Sequence, residues 1–183
     1  AASPATLVMS KAGSATSASS VNISGDGVGT TTDAATLSAS GAITLDSDGA
    51  GADQIETLTL SGNGAAATFT DGSATAPTTL AMTGSQDVTY VTTAANAATI
   101  TAVTNTATAG TQTLEITGAV ATADWKGVAA DVINVNGAVA AAATQTFKDA
   151  ASVKFETAQA NAFTIDIDDG SATTTQAAGS LSL

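Results

Sequence analysis

The residues best suited to chemistry in this chain are carboxylates set among glycines. The densest run is Asp46-Ser47-Asp48-Gly49-Ala50-Gly51-Ala52-Asp53-Gln54-Ile55. Calcium takes about six to eight oxygens from carboxylates and backbone carbonyls, and glycine lets a loop turn its carbonyls inward. Asp46, Asp48 and Asp53, with Gly49 and Gly51 between them, are therefore candidate calcium ligands. A second run is Phe163-Thr164-Ile165-Asp166-Ile167-Asp168-Asp169-Gly170. On a strand Asp166 and Asp168 face one way, and Asp169 and Gly170 open a turn. These three aspartates form a second candidate cation site. The competing reading of both runs is an acidic, solvated turn.

Most other catalytic chemistry is absent. The 183 residues include no Cys, no His and no Arg, and only four Lys. There is no imidazole base, no thiol and no guanidinium clamp. Glu56 and Glu115 are candidates for a glycosidase-like carboxylate pair, but nothing in the sequence brings them together. Gly25-Asp26-Gly27-Val28-Gly29 has glycine spacing reminiscent of nucleotide loops, yet no helix follows, so it reads as a turn that lends Asp26 to a cation at most. The chain is expected to be non-enzymatic.

Composition narrows the class further. The formal charge is −12, which disfavours nucleic acid and anionic membrane surfaces and makes cations the natural counter-partners. No apolar run is long enough to span a membrane as a helix. The absence of Cys fits an extracellular setting without disulfides. There are 43 Ala and 34 Thr, whereas Leu, Ile, Val and Phe together number 33. A core this thin suits close-packed layers lined by Ala, Val, Thr and Ile.

The elements that must position these residues read as strands. Apolar and polar residues alternate in Val21–Ser24, Thr36–Ser38, Ala42–Leu45, Ile55–Leu60, Ala67–Thr70, Thr79–Thr83, Val88–Val91, Thr99–Val103, Thr113–Thr117, Val132–Val135, Ser152–Phe155, Phe163–Ile167 and Ser180–Leu183. Gly and Asp punctuate them. Residues 121–128 and the alanine run 138–143 carry weak helical signals. Leu58–Gly62, Leu80–Gly84 and Leu114–Gly118 form a loose repeat. The predicted fold is all-β, a parallel β-solenoid with a β-sandwich as the alternative. It occupies a single domain over 1–183 with a possible sub-boundary near 121–130. Tyr90 and Trp125 are expected to anchor packing layers, and their exposure beside a pocket would favour ligand binding instead. Thr57/Thr59, Thr68/Thr70 and Thr99/Thr101 lie two apart, as in the flat threonine lattices of β-solenoid ice-binding proteins, but they do not recur at one period.

From Asp48 the first acidic run resembles one RTX-type nonapeptide, G-G-x-G-x-D-x-U-x. Gly49, Gly51, Asp53 and Ile55 fit their slots, while Asp48 replaces the first glycine. The second run resembles the first half of an EF-hand loop, with Gly170 one position early. With its Ala/Thr/Gly/Ser bias, absent Cys, few basic residues and pieces such as Gly51-Ala52-Asp53-Gln54-Ile55-Glu56-Thr57-Leu58-Thr59-Leu60-Ser61-Gly62, the chain resembles bacterial surface-layer proteins of RTX character. That resemblance implies a secreted, cell-surface protein with calcium-dependent folding, a homo-oligomeric lattice, and contact with cell-surface polysaccharide. The alternative expectation is a secreted adhesin or ligand-binding module.

Overall fold

A computed structural model describes residues 5–9, 19–23, 33–46, 55–72, 76–121, 123–125, 129–147, 152–167 and 180–182. Its elements are β1 (Ala5–Met9), β2 (Ser19–Asn22), β3 (Ala34–Asp46), β4 (Thr57–Asp71), β5 (Thr79–Thr83), β6 (Val88–Thr93), α1 (Ala94–Ala97), β7 (Ala102–Asn105), β8 (Gln112–Thr117), β9 (Ala123–Trp125), β10 (Val132–Asn136), β11 (Thr144–Phe147), β12 (Ser152–Phe155), β13 (Thr164–Ile167) and β14 (Ser180–Ser182). Every pairing between these strands is parallel. The fold is a parallel β-solenoid, as predicted.

Three sides can be traced. The first stacks β1, the first half of β3, the first half of β4, β5 and β7. The second stacks β2, the second halves of β3 and β4, then β6, β8, β10, β12 and β14. The third stacks β9, β11 and β13. The strands β3 and β4 each bend through a corner, where the register shifts between Ala39 and Gly41.

Alternation fills the interior. On the second side Ile43, Phe69, Tyr90, Leu114, Ile133 and Val153 form one buried column, each in register with the next. On the first side Leu58, Leu80 and Val103 do the same. Each fully buried Leu or Ile contributes roughly 1.5–3 kcal/mol of apolar burial. This explains how 33 large aliphatic and phenyl side chains suffice. Most of those among the described residues line one narrow interior, layer on layer.

Threonine closes the corners. The Thr78 hydroxyl donates to the Glu56 carbonyl and the Thr101 hydroxyl to the Thr78 carbonyl, both at 3.1 Å. Thr108 likewise reaches the Gly84 carbonyl and Thr117 the Thr92 carbonyl, each at 3.1 Å. Each bond ties a corner to the preceding rung, and the Glu56, Thr78 and Gly84 carbonyls also accept backbone N–H groups from the following rung.

Three local expectations are corrected. Residues 121–128 contain β9, because Trp125 is held inside by its neighbours on the third side. The alanine run 138–143 forms no helix. Val139 bridges Val120 in parallel, and Ala142 turns at φ 57°. Thr99 and Thr101 do not share a strand, since β7 begins at Ala102.

Candidate functional site

Asp46 is the last residue of β3 and pairs with Asn22 near the β1–β2 end of the stack. Asp166 lies in β13 near the opposite end, in register with Thr146. Asp46 and Asp166 therefore belong to different sides and different ends. Asp48, Gly49, Gly51, Asp53, Asp168 and Asp169 lie outside the described residues, as does Gly25–Gly29. Among the described residues, no three acidic side chains gather as a metal site would require.

Several described carboxylates act as staples between rungs. Glu56 Oε2 accepts the Asp33 N–H at 2.7 Å, while the Asp33 carbonyl accepts the N–H groups of Glu56 and Thr57. Asp87 Oδ1 accepts the Thr111 N–H at 2.8 Å, and Asp131 Oδ2 accepts the Gln112 N–H at 2.7 Å. Glu115 Oε1 accepts from the Asn136 side chain at 3.1 Å. Glu56 precedes β4 at a corner and Glu115 lies in β8 on the second side, so the two do not share a strand column. Charged acceptors strengthen such bonds relative to neutral ones.

The interior also holds polar groups. Asp71 is buried, and its Oδ2 accepts the Thr92 hydroxyl at 2.9 Å and the Asn96 amide at 3.1 Å. α1, capped by the Thr93 hydroxyl, carries Asn96 to that carboxylate. Tyr90 is buried in the neighbouring column, and its hydroxyl approaches Asp71 and Thr92 without making a hydrogen bond of good geometry. Burial, then the negative charge of Asp71, push its pKa well above the ordinary value. Gln145 accepts the Trp125 indole N–H at 2.9 Å and donates to the Ala121 carbonyl. The sequence signal for Gln145 was its place in Thr144-Gln145-Thr146-Phe147, where alternation puts a glutamine inside.

Tyr90 and Trp125 are thus packing anchors, as expected, and not surface binding residues. An open cleft of about 670 Å³ lies instead after β12, lined among others by Phe155, Glu156, Gln159, Ala162, Phe163 and Ile165. The Phe155 and Phe163 rings meet at 5.3 Å and 53°. Its wall is fixed to the previous rung: Gln159 Oε1 accepts the Val139 N–H, and Gln159 Nε2 donates to the Gly137 carbonyl. Asn161 adds a bond to the Val139 carbonyl at 3.3 Å.

Outward residues form columns that no fixed sequence period reveals. Thr68, Thr89 and Thr113 are in register, as are Thr57 and Thr79. On the second side, however, Thr70 is followed by Val91, Glu115, Asn134 and Lys154, which interrupts any uniform threonine lattice. No helix among the described residues is long and apolar enough to cross a membrane. Comparison with protein-family models, curated proteins and solved structures gave no match.

Proposed function

We propose that this chain is a non-enzymatic structural protein of the cell exterior that self-assembles into a surface layer or filament. The observation supporting this is the parallel β-solenoid itself, a ladder that grows by adding one strand to the next through backbone pairing. Among the described strands, β1 and β2 pair only with β3, β13 pairs only with β11, and β14 pairs only with β12. None of these four strands contains Lys or Pro, the residues that commonly guard sheet edges.

Charge sets the condition for assembly. Copies at −12 repel one another, so association requires counter-cations. In this reading calcium bridges the acidic turns at Asp46, Asp48 and Asp53 and at Asp166, Asp168 and Asp169, with the backbone at Gly49 and Gly51 supplying carbonyls. Extracellular calcium sites bind at about 10⁻⁴–10⁻³ M, so the effect belongs at millimolar calcium. Cell-surface polysaccharide is the anchoring partner in this proposal. The experiment is light scattering and electron microscopy of purified protein with millimolar calcium or with excess chelator. Ordered assemblies that form with calcium and dissolve with chelator support the proposal. A monomer in both conditions refutes self-assembly as the role of this chain.

A further inference from the structure

We propose that Asn63-Gly64 is a self-modifying site, where the folded chain converts Asn63 to isoaspartate and aspartate, and that the fold protects the other such pair, Asn136-Gly137. This is independent of the assembly reading above.

The chemistry needs only the chain and water. The Gly64 backbone nitrogen attacks Asn63 Cγ. A new N–Cγ bond forms, the nitrogen gives its proton to solvent base, the Cγ–Nδ2 bond breaks, and ammonia leaves. Water then opens the five-membered imide at either carbonyl. One opening gives aspartate. The other gives isoaspartate, with the backbone rerouted through the side chain. Glycine in the second place favours ring closure because no Cβ crowds the attacking nitrogen. Both Asn-Gly pairs meet that requirement in the sequence.

Exposure alone selects the wrong pair, since Asn136 is exposed and Asn63 is half-buried. Asn136 is locked. It ends β10, in register with Thr117. Its Nδ2 donates to Glu115 Oε1 at 3.1 Å, and its Oδ1 accepts the Thr157 hydroxyl at 3.3 Å. Gly137 is buried so tightly against the preceding rung that a Cβ there would collide with the Gly118 carbonyl oxygen. The peptide between Asn136 and Gly137 has no room to swing into attack.

Asn63 sits where β4 turns its corner. Gly62 is in register with Ala39, and the next pair joins Ala67 to Gly41. On the following rung β5 pairs with β4 up to Ser61, and β6 pairs with it from Ala67. Residues 63–66 therefore have no register partner on either side. Gly64 is exposed at φ 73°, and a Cβ there would meet nothing beyond its chain neighbours. Asn63 makes no side-chain hydrogen bond among the described residues. The corner leaves the torsional freedom that attack needs, and a rerouted backbone there disturbs no register pair. Conversion adds one negative charge to a chain already at −12, so charge rises with the age of each molecule.

The test incubates the full folded chain in mildly alkaline buffer, with a parallel sample in denaturant. Charge-sensitive separation follows added carboxylates, and peptide mapping by mass locates them. Methyl labelling by an isoaspartyl O-methyltransferase detects isoaspartate. In the folded chain Asn63 should convert roughly tenfold or more faster than Asn136, which must first release a hydrogen bond to a charged acceptor. In denaturant the two rates should converge. Asn63→Gln, which would need a larger ring, should abolish the early charge change. Glu115→Ala should speed Asn136 and leave Asn63 unchanged. Asn63 converting no faster than Asn136 in the folded chain overturns the proposal. So does Asn63 staying intact in the fold while both pairs react in denaturant, or an early charge change that persists in Asn63→Gln. An unchanged Asn136 rate in folded Glu115→Ala overturns the protection assigned to that bond.

Discussion

Replacing Tyr90 with Phe is expected to stabilise this protein, and to do so increasingly at alkaline pH. Tyr90 is 0% exposed and stacks between Phe69 and Leu114. Its buried hydroxyl makes no hydrogen bond of good geometry, although it lies close enough to Asp71 and Thr92 for both to act on its pKa. Such a group costs about 1–3 kcal/mol in desolvation, and Phe removes it while keeping the ring. Allowing for a small packing loss, Tyr90→Phe should gain about 1 kcal/mol at neutral pH. In a domain of this size that is a rise of roughly 2–4 °C in Tm.

The pH dependence has a definite sign. Burial first, and the charge of Asp71 second, raise the folded-state pKa of Tyr90 well above its ordinary value. In the unfolded chain the phenol loses its proton from about pH 10. Above that point the unfolded state binds fewer protons than the folded state, so stability falls as pH rises. The slope approaches about 1.4 kcal/mol per pH unit until the folded pKa is passed. Below this window the group adds no pH dependence. Tyr90 is the only tyrosine, so tyrosinate absorbance reports it without deconvolution. In wild type the tyrosinate signal should appear together with loss of the strand signal, and Tyr90→Phe should unfold at a higher pH. Two results would refute the reasoning. One is a phenol that titrates reversibly near pH 10 in the folded protein. The other is Tyr90→Phe less stable than wild type by about 1 kcal/mol or more at neutral pH.

Other expectations follow from the same geometry. A Cβ at Gly137 would lie 1.8 Å from the Gly118 carbonyl oxygen, so Gly137→Ala should cost more than about 3 kcal/mol in denaturant unfolding or prevent folding. Thr92→Val removes a hydroxyl that donates to the buried Asp71 carboxylate and should cost about 2 kcal/mol; an unchanged unfolding midpoint would contradict that role. Leu80→Ala opens the first-side column and should cost about 2–5 kcal/mol, measured by the same unfolding curves. Trp125, at 2% exposure and bonded to Gln145, should resist quenching by a soluble anion until the chain unfolds.

The architecture was legible because two sequence signals agree with the physics of a solenoid. Alternation with β-branched residues marks strands, and a shortage of large apolar residues demands a narrow interior. The rung repeat was only half legible. Leu58 and Leu80 are register partners one rung apart, so their spacing of 22 is a true repeat. Leu114 lies on another side, stacked on Tyr90, so its spacing of 34 from Leu80 is no repeat at all. Loop lengths differ between rungs, and register partners on the second side run from 19 residues apart, at Leu114 and Ile133, to 28 apart, at Val153 and Leu181. A search for one period therefore misses the columns of Thr68, Thr89 and Thr113. Strand β9 was hidden because three residues are too few for alternation to show.

The same variation explains why the polar interior escaped sequence reasoning. Asp71 follows Thr70 at the end of a strand, where an aspartate before glycine reads as a turn residue. It is buried because the next rung brings Thr92 and Asn96 to it, across sequence separations of 21 and 25. A carboxylate in such a place is tolerated only with donors in position, and α1 supplies one. The acidic composition thus divides by mechanism. Glu56, Asp71, Asp87, Glu115 and Asp131 accept hydrogen bonds within the fold, mostly from neighbouring rungs. These carboxylates stabilise each chain as it stands. In the assembly reading, the acidic runs near Asp46 and Asp166 are left to answer to calcium. Chelation should then dissolve the assemblies while the strand signal and the melting curve of the single chain persist. A chain that unfolds on chelation would show instead that calcium holds the rungs themselves, and the division drawn here between stapling and bridging carboxylates would fail.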